Sequence, residues 1–345
     1  MTATQNDIQH AIPTLKVRSS PVQTPAIEIK PAPAPRPKLG LLTTFISMLV
    51  DSSKLSIHAE RPSALLQTIR IIPFALMHLG CLLIIWAGFS WTALALAIAL
   101  YAIRMFAITG FYHRYFSHRT FKTSRPMQFV FGLLGCSAVQ RGPLWWAAHH
   151  REHHRHSDTE EDLHSPSRHG LLWAHMMWFL QPENAATNTK VIPDLAKYPE
   201  LRFIDRYDLI VPASLAATLF GLGWLIGNFI PSSGTSGFQF LAWGFFVSTV
   251  VCYHATYTIN SLSHTWGNRR FKTDDTSRNN IFLALLTFGE GWHNNHHYFP
   301  GAARQGFYWW EIDLTYYTLW ALSKVGLVWD LNPVPARVYA AAKAK

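Results

Sequence analysis

The sequence predicts an all-α integral membrane protein, four transmembrane helices arranged as two hairpins beneath a histidine-rich helical cap. Three observations predict it. Of 345 residues, 49% are hydrophobic and only 14% charged, against about a quarter charged in soluble globular proteins. The apolar residues fall in long uncharged runs rather than in periodic patterns. The 18 histidines gather in a few short clusters outside most of those runs.

The chain divides into residues 1–60, 61–330 and 331–345. The first part shows no apolar leader core after the start and continues through PVQTPAIEIKPAPAPRPK, the composition of a disordered tail. Its last apolar stretch, 39–50, is too short to span a bilayer and reads as an interfacial helix. Between Arg70 and Arg104 lie 33 residues without Asp, Glu, Lys or Arg. As one helix they would measure about 50 Å against a hydrocarbon core of about 30 Å. Gly88, Phe89 and Ser90 split them into helices at 69–87 and 91–109. A second uncharged run, 209–268, is broken by PSSGTSG at 231–237 and gives the other hairpin. Weaker apolar segments at 129–146, 171–180 and 281–288 read as buried or surface helices roofing the bundle, and 331–345 reads as a C-terminal tail.

Lys and Arg are absent from both tight loops and abundant in the tail, the 104–208 segment and the C-terminal segment. The positive-inside rule therefore places both termini and the cap in the cytoplasm, of a bacterial inner membrane or the endoplasmic reticulum. The net charge of +10 suits membrane lipid or an anionic head group rather than nucleic acid. Cys81, Cys136 and Cys252 are far apart and form no CxxC pair, so a metal site must rest on histidine.

Four stretches carry that signal: HRYFSH with His113 and His118, HREHH with His150, His153 and His154, NSLSH ending at His264, and HNNHH with His293, His296 and His297. In a helix the HxxHH spacing puts three imidazoles on one face. His113 and His118 fall about 140° apart on a straight α-helix and so reach different metals or opposite sides of one site. Nine histidines exceed the roughly six ligands of one ion, which makes a dinuclear centre the simplest fit. No HExxH occurs, as zinc hydrolysis would require. A metal transporter would place its ligands near mid-membrane, and these cluster at the cytoplasmic ends. By spacing alone His149 could replace His150, since it too lies four residues from a histidine, His153.

GFYHRYFSHRTF, AAHHREHHRHSD, NSLSH and GEGWHNNHHYFP, in that order, resemble the membrane fatty-acid desaturases, specifically the Δ9 stearoyl-type acyl-CoA desaturases, over about residues 65–315. The resemblance implies two Fe2+ ions held by His113, His118, His150, His153, His154, His264, His293, His296 and His297, with Asn260 holding a metal-bound water. It implies O2-dependent insertion of a cis double bond into a saturated acyl chain. A hydroxylase of the same histidine-rich type and an acyl-lipid desaturase are the alternatives. It places Trp146 and Thr256 at the kink of a substrate tunnel. On the second span, Met105 and Tyr101 lie about 12 and 18 Å of helix rise from His113, where either could floor that tunnel.

Animal acyl-CoA members carry an Arg-Asp pair just before the second histidine box; here Ala148 and His149 stand there. Long-chain acyl-CoA and acyl-lipid both stay open as substrates, with Arg141, Arg151 and Arg155 placed to meet phosphates. No haem, flavin or ferredoxin motif occurs, so electrons must come from a separate cytochrome b5, ferredoxin or reductase.

Overall fold

Ser90 and Gly88 set the break between the first two helices. In the computed structural model Gly88 has φ 71°, the left-handed region that glycine enters without steric cost. Ser90 accepts a hydrogen bond from the Ala93 N–H and starts the second helix. The structure describes residues 43, 46, 47, 50–52 and 64–343. The predicted proline-rich tail and most of the 39–50 helix lie outside the described residues.

The chain is mostly helical. Helix α1, Ala64–Gly80, runs through a 3₁₀ turn at Cys81–Leu83 into Ile84–Ala87. Helix α2, Trp91–Phe106, continues without a break as a π-helix over Ala107–Ser117. Then come α3, Arg125–Cys136; α4, Pro143–His156; α5, Pro199–Arg206; and α6, Ile210–Phe229. A second π-helix, Phe240–Val247, leads into α7, Ser248–Ser261, followed by α8, His293–Tyr298, and α9, Leu314–Lys324. Two short strands, β1 Lys122–Thr123 and β2 Val328–Trp329, pair antiparallel.

Among the described residues three helical stretches are long and apolar enough to cross a membrane: Trp91–Ser117, Ile210–Phe229 and Pro231–His264. The apolar stretch Ile71–Ala87 is shorter. Ile85, Trp86, Trp91, Ile98, Trp224 and Phe229 are each more than half exposed, as lipid-facing side chains are.

Two departures from the sequence expectation matter for the site. The second helix, expected to stop at 109, extends to Ser117 because Phe111, Tyr112, Tyr115 and Phe116 bury in the core formed with Phe131, Leu144, Leu201 and Leu319. The 129–146 segment is two helices, joined by a turn in which Val139 and Arg141 take positive φ. Asp205 of α5 anchors that turn: its Oδ1 accepts from the Leu144 and Trp145 N–H groups and caps α4. A Cβ on Gly142 would lie 2.4 Å from the Asp205 Cα, so the approach requires glycine there. The expected C-terminal tail contains a helix, Ala336–Lys343, with Val338 buried against Phe271 and Phe307.

Candidate metal centre and acyl cavity

The nine predicted histidines come together from three helices and two turns, and they separate into two groups. His113, His118, His150, His154 and His296 place ligand nitrogens within 4.8 Å of one another. His153, His264, His293 and His297 do the same. A third grouping joins His153 to Asp162 and His164.

Each HxxHH box therefore straddles the two groups. From α4, His150 and His154 enter the first and His153 the second; from α8, His296 enters the first and His293 and His297 the second. His113 and His118 enter the same group because the π-helix pairs residue i with i+5. The His118 N–H donates to the His113 carbonyl at 3.2 Å, so the two rings meet edge to face, centroids 4.9 Å apart, rather than diverging. His150 places a ring nitrogen in the first group. His149 instead donates through Nδ1 to the Trp145 carbonyl at 2.8 Å.

The Nε2 atoms converge tip to tip: His118 and His150 at 2.8 Å, His113 and His296 at 3.0 Å, His154 and His296 at 3.0 Å, and His264 and His293 at 3.1 Å. Behind them stand carboxylates that the motif reading missed. His113 Nδ1 meets Glu290 at 2.6 Å, His153 meets Asp162 at 3.0 Å, His264 meets Asp158 at 3.1 Å and His297 meets Asp275 at 2.7 Å. A carboxylate only accepts, so each holds the proton on Nδ1 and leaves an Nε2 lone pair facing its group. The His297 Nε2 is buried without any hydrogen-bond partner.

Burial disfavours the charged form of several of these rings. Burial, reinforced by the neighbouring imidazoles, pushes His150, His154, His293 and His296 well below the ordinary histidine range. Burial lowers His297 to about 4, despite the opposing pull of Asp275. Although burial raises Asp158, Asp162 and Asp275, their hydrogen-bonded histidines bring all three well below the usual carboxylate range. A cation between these converging nitrogens would take up their lone pairs. The donor set fits two metal ions, and imidazole suits iron.

A cavity of about 630 Å³ reaches this centre, and His150, Trp146, Thr256 and Asn260 line it beside the histidines. Trp146 stacks on His150 with ring centroids 5.0 Å apart. Gln140, absent from the sequence prediction, donates to the Thr256 Oγ1 at 3.1 Å and ties the 137–142 turn to α7. Met105 and Tyr101 are not among the lining residues. Met105 is fully buried against Cys252 and Ala255, with Tyr101 and Phe288 beside it. The Tyr101 hydroxyl donates to the Leu286 carbonyl at 2.5 Å.

Of the three arginines considered for phosphates, Arg141 lines the cavity. Arg151 is committed to Asp194 and the Ser117 and Phe116 carbonyls, and Arg155 is exposed. His78 and His254 bond each other across helices at 3.1 Å, as membrane-embedded histidines do.

Residues 59–329 match the family described as fatty acid desaturase. The chain belongs to the fatty acid desaturases. The desaturase is 38% identical over 260 residues to the sn-1 stearoyl-lipid 9-desaturase of Anabaena variabilis, covering 74% of this chain and 90% of that one. It is 36% identical over 268 residues to the sn-2 palmitoyl-lipid 9-desaturase of a Nostoc species, covering 76% and 89%. It is 37% identical over 267 residues to the acyl-CoA C20 Delta5-desaturase of Anemone leveillei, covering 76% and 80%. The desaturase is thus an oxidoreductase of lipid metabolism, and membrane helices and iron are in keeping with its family.

Proposed function

We propose that this desaturase introduces a cis double bond at the Δ9 position of a saturated long-chain acyl substrate, carried by CoA or lipid, using O2 and two Fe2+ ions. The observation that carries the reading is a pair of adjacent imidazole groups, the first of which contributes His150 to the wall of an apolar cavity. His113, His118, His150, His154 and His296 would hold one ion. His153, His264, His293 and His297 would hold the other, with Asn260 bound to it through water. Bound there, the iron pair supplies the oxidising power from O2 that an unactivated methylene requires and that no side-chain acid or base can provide.

The protein's own residues do the remaining work. Glu290, Asp158, Asp162 and Asp275 fix ring orientation and tautomer. Trp146 and the Gln140–Thr256 bridge bend the chain so that two neighbouring methylenes face the histidines. The cavity walls exclude water. Two electrons arrive from a separate cytochrome b5, ferredoxin or reductase docked near the histidine face.

In this reading Ala64–Ala87 completes a fourth span, the histidine-bearing helices form a cytoplasmic cap, and both termini lie on that side. Residues 61–330 form the desaturase unit between a 1–60 tail and 331–345. The test is gas chromatography with mass spectrometry of fatty acids from a desaturase-free host expressing the protein. New cis-9 monounsaturated chains are expected; a hydroxylated product without a double bond would overturn the assignment.

Two outcomes follow for the tunnel. Gln140→Leu removes one hydrogen bond, a loss of about 1 kcal/mol, and loosens the bend. A fraction of double bonds displaced by one or two carbons is expected, read from the disulfide adducts of the products. If the chain passes α7 beyond Thr256 it meets Met105 behind Cys252 and Ala255. Met105→Trp is then expected to shift the product ratio toward 16-carbon or shorter chains, and Met105→Ala toward longer ones that Tyr101 limits. One methylene in an apolar pocket is worth about 1–3 kcal/mol, so the measured change is a ratio at equal expression rather than a switch. Unchanged ratios in both variants would remove Met105 from the tunnel.

A further inference from the structure

His296 is the hub of the first imidazole group. Its Nε2 lies 3.0 Å from the Nε2 atoms of both His113 and His154. For that nitrogen to offer its lone pair to the group, the single proton of the neutral ring must sit on Nδ1. A buried Nδ1–H needs an acceptor behind it. The carboxylates behind the other rings serve His113, His153, His264 and His297, and none of these four is paired with His296.

The side chain that does stand behind His296 is Gln305. Its amide nitrogen is 3.3 Å from His296 Nδ1 and 3.3 Å from His113 Nδ1. The residue is only 1% exposed, which closes this slot to bulk water. Its backbone is held from two sides. The Gln305 N–H donates to Asp313 Oδ2 at 2.7 Å, and the Gln305 carbonyl accepts from Asn295 Nδ2 at 3.0 Å. Asn295 belongs to α8, the helix that carries His296, so the slot and the ligand ring are fixed to each other.

A carboxamide has a donor end and an acceptor end of nearly equal size. With the NH2 end in the slot, both Nδ1 atoms must be bare acceptors, and both rings then point an N–H into the metal group. At His113 that arrangement sets a bare Nδ1 against the Glu290 carboxylate at 2.6 Å, acceptor against acceptor. It also leaves Gln305 Oε1 buried with no partner. With the oxygen end in the slot, its two lone pairs accept from both Nδ1–H groups, and both Nε2 lone pairs face the group.

We infer that Gln305 is a positioning residue of the metal centre, its carboxamide oxygen accepting from His113 and His296 and holding both rings in the metal-binding tautomer. This rests on the two-metal reading of the histidines. At His113 the amide works beside Glu290; at His296 it is the one hydrogen-bond partner of Nδ1 among the described residues.

The experiment takes full-length protein in detergent, strips it of metal and titrates it with Co2+ against a chelator, the absorption bands of the bound ion reporting occupancy. Gln305→Met keeps the length of the side chain and removes the amide. Its Co2+ affinity is expected to fall about ten- to a hundredfold. Gln305→Glu offers acceptor oxygens in either orientation and is expected to recover most of that loss. Thermal unfolding of the metal-free variants is expected to match that of the native protein, which separates positioning from a general loss of fold. Should Gln305→Met fail to fold, affinity kept or lost in Gln305→Glu decides. Unchanged affinity in Gln305→Met, or a loss in Gln305→Glu as deep as that expected for Gln305→Met, would overturn the role of Gln305 while two ions in the native protein leave the centre standing. Native protein that binds no Co2+ would overturn both.

Discussion

Replacing His154 with alanine is expected to abolish desaturation, lowering it by well over the roughly hundredfold that loss of an outer partner of a metal ligand costs. His154 holds the junction of the two groups. Its Nε2 lies 3.0 Å from that of His296, and its ring lies 4.4 Å from the His297 ring of the second group. Metal content of the purified variant, measured by mass spectrometry, is expected to fall from two irons per chain toward one or none. His113→Ala and His297→Ala, one from each group, should act the same way. Membrane insertion is expected to survive in all three, because the apolar spans rather than the metals drive it. Loss of insertion in all three would identify a structural metal instead. Two retained irons with normal turnover would show that the histidines are not the ligands.

The second large effect is expected at Glu290. Its Oε2 lies 2.6 Å from His113 Nδ1, and its Oε1 meets Arg114 at 3.0 Å. Arg114 is fully buried and reaches Asp313 on its other side. Glu290→Leu leaves a buried guanidinium partly unpaired, a cost of about 3–5 kcal/mol, and is expected to misfold. Glu290→Gln keeps an acceptor for His113 and removes the charge. Metal affinity in that variant, measured by competition with a chelator, is expected to drop by about ten- to a hundredfold with the fold retained. Unchanged affinity would confine Glu290 to a structural role.

Acid should act in the same direction. The imidazoles of His150, His154, His293 and His296 are depressed by burial, so below about pH 6.5 the unfolded chain takes up protons that the folded one refuses. Asp158, Asp162 and Asp275 are also depressed once their histidine bonds outweigh burial. Their contribution is complete at neutral pH and is lost as pH falls below about 4. Thermal unfolding of metal-free protein across this window is expected to show stability declining monotonically with acidification.

The first helix break was legible in the sequence because an uncharged run is too long for one span, and Gly88 and Ser90 announce where it divides. The histidine boxes were legible because nothing in a plain membrane bundle accounts for them. Their division was not. Helix-wheel reasoning assumes i to i+4 bonding, and the π-helix that puts His113 and His118 together leaves no mark in residue type. The partner carboxylates were equally hidden. Asp158 and Asp275 stand 106 and 22 residues from the histidines they serve, and only the folded loops between them bring the charges together. Gln140 escaped for the same reason, lying 116 residues from Thr256. Met105 was placed from helix rise alone, which gives depth along the axis and says nothing of which neighbour fills the space.

The interleaving of the boxes has a consequence for how the centre fills. Helices α4 and α8 each supply both groups from adjacent turns, so each behaves as a rigid staple across the two sites. The first ion to bind must draw these staples into place, and the ordering it imposes is then already present for the second. If the two groups hold ions as proposed, the two dissociation constants are expected to be coupled, the first binding step carrying the cost of ordering and the second not. With metal added at one equivalent per chain, the population should divide into empty and doubly filled molecules, with the singly filled form scarce.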